Sequence, residues 1–270
     1  MNPSVSGVAL AIAACAPAAT HPAQISSDRV ASSAYRTVHI DTVAPALKPQ
    51  FEAARVEWLR HLAAGRTSDQ RGVFIAVGDH TFFTLRPFSQ FEELDHRGAA
   101  RRSALSTVDP AALKRYDDQS DAALVFPHRN EIWSYEEALS YRAANGPVDE
   151  CGATAGRLVI ESIRPTPPFE AQYQAAWAEI RAALQRVGYP LTRIGYASYY
   201  GDGRVFSFWL ANSRDQLARA PSIEDALINA VGAATAAELL RRLSECVVAT
   251  ETHEITPRAD LSNPELCRRR

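Results

Sequence analysis

The sequence predicts an α+β fold built twice over, as two tandem copies of a strand-helix-hairpin-helix-strand unit. Three observations predict it. The chain has 270 residues, 46% of them hydrophobic and 22% charged, enough for two packed units of roughly 100–120 residues each. Five landmarks recur along it. Thr37 to Pro45 lines up with Arg157 to Pro165, Phe51-Glu52-Ala53 with Phe169-Glu170-Ala171, Trp58 with Trp177, Gly78-Asp79 with Gly201-Asp202, and Glu131-Ile132 with Glu254-Ile255. The separations are 120, 118, 119, 123 and 123 residues, and a spacing that stays so nearly constant marks an internal repeat. Finally, the hydrophobic period switches between two and 3.6 in the same order in both halves.

In the first copy, alternation predicts a strand over Tyr35 to Val43. A helix over Leu47 to Ala64 follows, with Phe51, Arg55, Trp58 and Leu62 on one face. Gly72 to Val77 and Thr81 to Phe88 flank the Gly78-Asp79 turn, a hairpin signal. In the helical region beyond, Asp109-Pro110 supplies an N-cap and a first-turn proline. A last strand is expected over Ala123 to Trp133. Tyr135 to Ala144 reads as a short linker helix, and the Asn145-Gly146-Pro147 turn sets the boundary.

In the second copy, Arg157 to Ile163 is the first strand. The helix Phe169 to Val187 carries Tyr173, Trp177, Ile180 and Leu184 on one face and stops at Gly188. The hairpin runs over Thr192 to Tyr200 and Arg204 to Ala211. A helix over Ser222 to Ser244 opens near a capping box and breaks at Gly232. Cys246 to Thr256 is the last strand. The expected division is 1–33 for an export signal and tether, 34–147 for the first copy, and 148–270 for the second copy and a C-terminal tail.

The leader has its own logic. Val8 to Cys15 is an apolar run too short to span a bilayer, as an export signal requires. Ile12-Ala13-Ala14-Cys15 resembles the bacterial lipobox, which implies lipidation at Cys15, although no Lys or Arg precedes the run. An Ala-rich leader is the alternative. Residues 21–33 read as a polar tether. The net charge of −2 lacks the basic excess of a nucleic-acid binder.

The order β-α-β-β-α-β is that of the ferredoxin-like unit. Two such units in one chain resemble the dimeric α+β-barrel superfamily over Tyr35 to Pro257. The resemblance implies two sheets enclosing a cavity, with the helices bearing Trp58 and Trp177 outside. It also implies a range of roles, from cofactor-independent monooxygenases and haem-degrading enzymes to small-molecule-binding proteins, so fold alone assigns no chemistry.

Motifs for chemistry are sparse. No GxSxG elbow, GxGxxG or P-loop pattern occurs, and no histidine pair has HxH or HxxxH spacing. Neither a metal nor another cofactor is therefore expected. Alternation leaves Val38, Ile40, Leu158 and Ile160 on one strand face, read here as the face beneath the helices. Asp41, Glu161, Glu131 and Glu254 then line the enclosed face as candidate ligand-binding residues, joined by His39 beside Asp41 and by Arg129 beside Glu131. The alternative is that these acids are solvated or ion-paired at strand ends. Assuming the last strand lies antiparallel to the first, a Cys151–Cys267 disulfide is expected, with Cys246 buried and free.

The expected function is a non-enzymatic envelope lipoprotein or secreted protein, located on the periplasmic side or outside the cell. It would bind a small ligand or an envelope protein and touch membrane only through a lipid anchor. A cofactor-independent monooxygenase-like enzyme working between the sheets, or an assembly role in the envelope, stands beside that reading.

Overall fold

A computed structural model describes residues 34–64, 72–200 and 202–262. The first copy comprises β1 (Tyr35–Thr42), α1 (Lys48–Ala64), β2 (Val73–Val77), β3 (Thr81–Phe88), α2 (Glu92–Leu105), α3 (Pro110–Ala123) and β4 (Arg129–Tyr135). The second comprises β5 (Ala155–Ile163), α4 (Pro167–Arg186), β6 (Thr192–Ser198), β7 (Arg204–Ala211), α5 (Arg214–Arg219), α6 (Ile223–Val231), α7 (Ala233–Cys246) and β8 (Val247–Pro257).

Local chemistry sets most of these limits. Asp109 caps α3 by accepting from the Ala111 N–H, and Pro110 opens the first turn. Ser222 caps α6 through the Asp225 N–H. Gly232, at φ 83°, separates α6 from α7 because that backbone angle strains any residue with a Cβ. Three expectations fail locally. The stretch 123–128 is not strand: α3 runs on to Ala123 and Pro127 withholds an N–H, so β4 begins at Arg129. The linker helix shrinks to one 3-10 turn, Glu137–Leu139. Cys246 closes α7 and does not open β8.

The strands form one closed antiparallel barrel in the order β1-β3-β2-β8-β5-β7-β6-β4. Each copy contributes the ferredoxin-like order, last-first-third-second. Two short seams join the copies, where Ala76 faces Thr256 and Ser134 faces Ala197. Closure removes most of the unpaired edge that each half alone would expose.

The barrel interior is a packed core, not a chamber. Val38, Ile40, Ile75, Phe83, Leu85, Trp133, Leu158, Tyr196, Phe206, Phe208 and Ile255 fill it. Trp133 stacks on Phe206 with ring centroids 3.9 Å apart. Arg36 lies over the Tyr196 ring, and the Tyr196 hydroxyl donates to the buried Glu150 carboxylate. Glu150 belongs to the inter-copy linker, which also presses Cys151 and Ala153 against the barrel core. Cys151 is disulfide-bonded and Cys246 is a free, buried thiol. Cys267, the expected partner of Cys151, and Cys15 lie outside the described residues. No helix among the described residues is long and apolar enough to cross a membrane.

This packing reverses the expected faces. Val38, Ile40, Leu158 and Ile160 point into the barrel, and Asp41 and Glu161 point out beneath the helices. The parity was legible, but the choice of face was wrong. A closed barrel is the driest place in the fold, so the aliphatic parity goes inside.

Candidate functional site

The outer face of the β1–β4 ladder gathers the chemistry. Period two puts His39 and Asp41 on one side of β1. The β1–β4 register sets Asn130 opposite His39. His128, the residue before β4, lies close to both His39 and Asp41. Four polar side chains thus form a compact block, although 87 residues separate Asp41 from His128 along the chain (128 minus 41).

The block is tightly engaged. The His39 Nε2 atom lies 3.1 Å from Asp41 Oδ1, and His39 Nδ1 lies 2.8 Å from Asn130 Oδ1. The rings of His39 and His128 approach to 4.7 Å between centroids. Asp41 is 7% exposed, His39 is half-buried, and His128 and Asn130 are exposed. One ligand atom from each of His39, Asp41 and His128 falls within 4.8 Å of the others, and this is the one such metal-capable group among the described residues.

The block borders a cavity of about 630 Å³ between the sheet and α1, α2 and α3. That is room for a small organic molecule. Phe51, Trp58 and Tyr116 from the helices and Phe74 from β2 give it flat apolar walls. Trp58 and Tyr116 stack at 4.8 Å. Thr84, buried, lies beside His39 on the neighbouring strand. Arg55 is buried in the wall, its guanidinium 5.1 Å from the Phe74 ring centroid and its Nε donating to the Leu261 carbonyl at 3.4 Å. Asp117 and Asp121 on α3 add negative charge, and the exposed Tyr200 also lines the cavity. Such a site can hold a flat, partly apolar molecule and exchange protons with it.

The matching place in the second copy is filled. The pairings of Val38 with Leu85 and Leu158 with Phe208 align the two sheets, which makes Arg193 the counterpart of Gly72, Glu161 of Asp41, Val159 of His39 and Ser207 of Thr84. The Arg193 guanidinium lies 3.6 Å from the Trp177 ring centroid and donates to Ser207 Oγ at 2.6 Å and to the Leu139 carbonyl. Glu161 stands 4.0 Å from it and accepts from the Tyr173 hydroxyl at 2.6 Å. Burial lowers the Arg193 pKa, and burial, aided by the Glu161 charge, holds the Tyr173 phenol well above its ordinary value. A smaller cavity of about 200 Å³ beside Tyr173 and Glu136 remains.

The six candidate residues therefore separate. Asp41 and His39 belong to the site, beneath the helices and not between the sheets. Glu161 is absorbed into the Arg193 cluster. Glu131 shares the interior parity: it accepts from Trp133 Nε1 at 2.8 Å and pairs with Arg204 at 3.3 Å, although the first cavity also touches it. Arg129 has the same parity and is exposed. Glu254 lies opposite Arg157 on the other parity, exposed, so it is no counterpart of Glu131. The true counterpart is His253, since Val38 faces Glu131 and Leu158 faces His253. The aligned Glu-Ile pairs had misled by one residue. Asn130 and His128 were missed as site residues. Only the register between first and last strands could have found them.

Comparison with known proteins bears on fold. No protein-family model and no curated protein matches the sequence. Among solved structures, the chain is similar to a candidate monooxygenase of Fusobacterium nucleatum, with a TM-score of 0.53 at 6% identity over 83% of this chain and 91% of that one. It is similar to a candidate monooxygenase of Lactobacillus acidophilus, with a TM-score of 0.50 at 6% identity over 83% and 93%. An anthrone oxidase-like protein gives 0.50 at 10% identity over 83% and 90%. These likenesses place the fold among the dimeric α+β barrels. They also correct the leading expectation of a non-enzymatic envelope protein: the neighbours that share this fold are described as monooxygenases or as oxidase-like.

Proposed function

We propose that the chain is an oxidase- or monooxygenase-type enzyme acting on a small, flat molecule in the sheet–helix cavity of its first copy. One observation carries the reading: a buried carboxylate, Asp41, contacts an imidazole, His39, at the edge of an aromatic-walled cavity of about 630 Å³. A buried acid paired with a histidine in a cleft is a common arrangement for moving a proton.

The walls suit a fused or conjugated ring system, whose C–H or O–H is acidic because the anion is delocalised. The imidazoles and Asp41 are the proton acceptors within reach. Deprotonation at carbon leaves an electron pair that reduces dioxygen and forms a C–O bond. Loss of the second C–H proton with O–O cleavage then gives a carbonyl and one water. One methylene group and one dioxygen are consumed, and one carbonyl group and one water are formed. Anthrones, the compound class in the name of one fold neighbour, have such a methylene group.

Oxygen-electrode assays with a panel of anthrones and hydroquinones test this reading. Wild type is expected to consume oxygen, and Asp41→Asn to lose at least about a hundredfold of that rate. Absence of both oxygen uptake and ligand-induced quenching of tryptophan fluorescence rejects it. We also propose that the enzyme is exported. The lipobox-like segment ending at Cys15 supports this, as does the disulfide at Cys151, a bond that persists in oxidising compartments. Mature protein beginning at Cys15 is the expected outcome, and an intact Met1 on cell-purified protein rejects it.

A further inference from the structure

His39 is held at both ring nitrogens. Its Nδ1 lies 2.8 Å from Asn130 Oδ1, its Nε2 lies 3.1 Å from Asp41 Oδ1, and the His128 ring lies 4.7 Å away between centroids. With Nδ1 donating to that amide oxygen, Nε2 carries the lone pair that an ion beside Asp41 would take.

We propose that His39, Asp41 and His128 bind a single divalent transition-metal ion. Three features favour the metal. First, the donor set is two imidazoles and one carboxylate, all within 4.8 Å. That set, with positions left open, suits iron(II), and also zinc or manganese. Second, two ligand arms of about 2.1 Å meeting near a right angle span about 3 Å, as His39 Nε2 and Asp41 Oδ1 do. Third, the far nitrogen of His39 is held by an amide oxygen, the outer hydrogen bond that orients a ligating histidine and fixes its tautomer.

Strands hold three of the four residues, His39 and Asp41 on β1 and Asn130 on β4, and His128 directly precedes β4. All three ligands line the cavity, so an ion held by them would be within reach of a molecule bound there. The second copy offers no equivalent. Val159 and Thr252 replace His39 and Asn130, and the residue facing Glu161 is Thr250, which offers no imidazole. One ion per chain is therefore expected, not two. The inference uses the same residues as the proposed activity: with the imidazoles bound to the ion, the second oxygen of Asp41 is the proton acceptor left, and ion binding itself does not need turnover.

The test uses the full chain, stripped with a chelator and titrated calorimetrically with Zn²⁺, Mn²⁺ and, without oxygen, Fe²⁺. Wild type is expected to bind one equivalent of at least one of these ions, with a raised melting temperature. Asp41→Asn and His128→Gln should each weaken binding by at least about tenfold, and Asn130→Leu by about 10–100-fold. His128 and Asn130 are exposed, so their variants keep the fold even if the Asp41 variant does not. Lack of stoichiometric binding, or equal affinity in wild type and His128→Gln, overturns the proposal. Metal binding without oxygen uptake would sink only the proposed activity. Oxygen uptake by protein that binds none of the three ions, undiminished by chelator, would sink only the metal.

Discussion

The two copies share a plan and use the space beneath their helices differently. In the first, the outer sheet face carries Gly72, Thr84, His39 and Asp41, and a cavity opens above them. In the second, the same positions carry Arg193, Ser207, Val159 and Glu161, and one guanidinium with its neighbours fills much of the space, leaving about 200 Å³. The exchange of glycine for arginine is one source of the contrast. Arg193 reaches Trp177, Ser207, Glu161 and the Leu139 carbonyl, whereas Gly72 has no side chain to fill anything. The acids are equivalent in place and opposite in use. Glu161 helps to hold a core together, and Asp41 faces a cavity. Duplication thus yields one half whose outer face is occupied by a side-chain cluster and one half whose outer face borders a larger cavity.

The sharpest way to break this comparison is to remove each acid's partner or charge in turn. Asp41→Asn should cut activity by about 10²–10⁴ while moving the urea midpoint little. If the unfolding curve shifts as far as the activity, Asp41 is structural and the contrast fails. Arg193→Met should do the opposite. It strands Glu161 beneath α4, and the expected cost is about 3–5 kcal/mol, read from urea unfolding, with ligand affinity in the first copy unchanged.

A smaller effect is expected at Gly72. A Cβ there would stand 2.7 Å from the Thr84 methyl, so Gly72→Ala forces Thr84 to shift. About 1–3 kcal/mol of overpacking strain should follow, along with weaker binding of flat ligands. Adding Thr84→Ser, which copies Ser207, should relieve the strain. If the double variant is no more stable than the single one, the proposed equivalence of the two sheets is wrong.

The smallest expected effect separates the copies by pH. Burial pushes the Tyr189 phenol, in the second copy, up to about 12 from its ordinary 10. The unfolded chain therefore loses this proton first as the solution becomes alkaline. The stability contributed is full below about pH 10 and is lost as pH rises towards 12. Tyr173, shifted the same way, adds to the trend. Tyr189→Phe should flatten the alkaline fall of the melting temperature, and an unchanged profile would show that the phenol does not report on this core.

How much of this was legible in the residues differs by level. The repeat, the element order, the hairpins and the caps at Asp109 and Ser222 follow from local signals: constant spacing, periodicity, and side chains that satisfy the first N–H groups of a helix. The pairing of His39 with Asp41 was legible too, because period two is a property of any strand. His128 and Asn130 were not. Their approach depends on the register of two strands separated by several other elements, and no local rule states that register.

The sequence by itself therefore determined a duplicated α+β chain and which residues share a strand face. Only the tertiary structure decided which face would be inside. An isolated ferredoxin-like unit has one covered face, beneath its helices, and the aliphatic parity would belong there. Two units sharing one barrel create a second and drier interior, and Val38, Ile40, Leu158 and Ile160 turn into it. The polar parity is then left beneath the helices, where the volume of the Arg193 side chain helps to fill the space in one copy and a larger cavity stays open in the other. That volume is written at position 193 and absent at position 72, but its meaning arises only when the strands are in register.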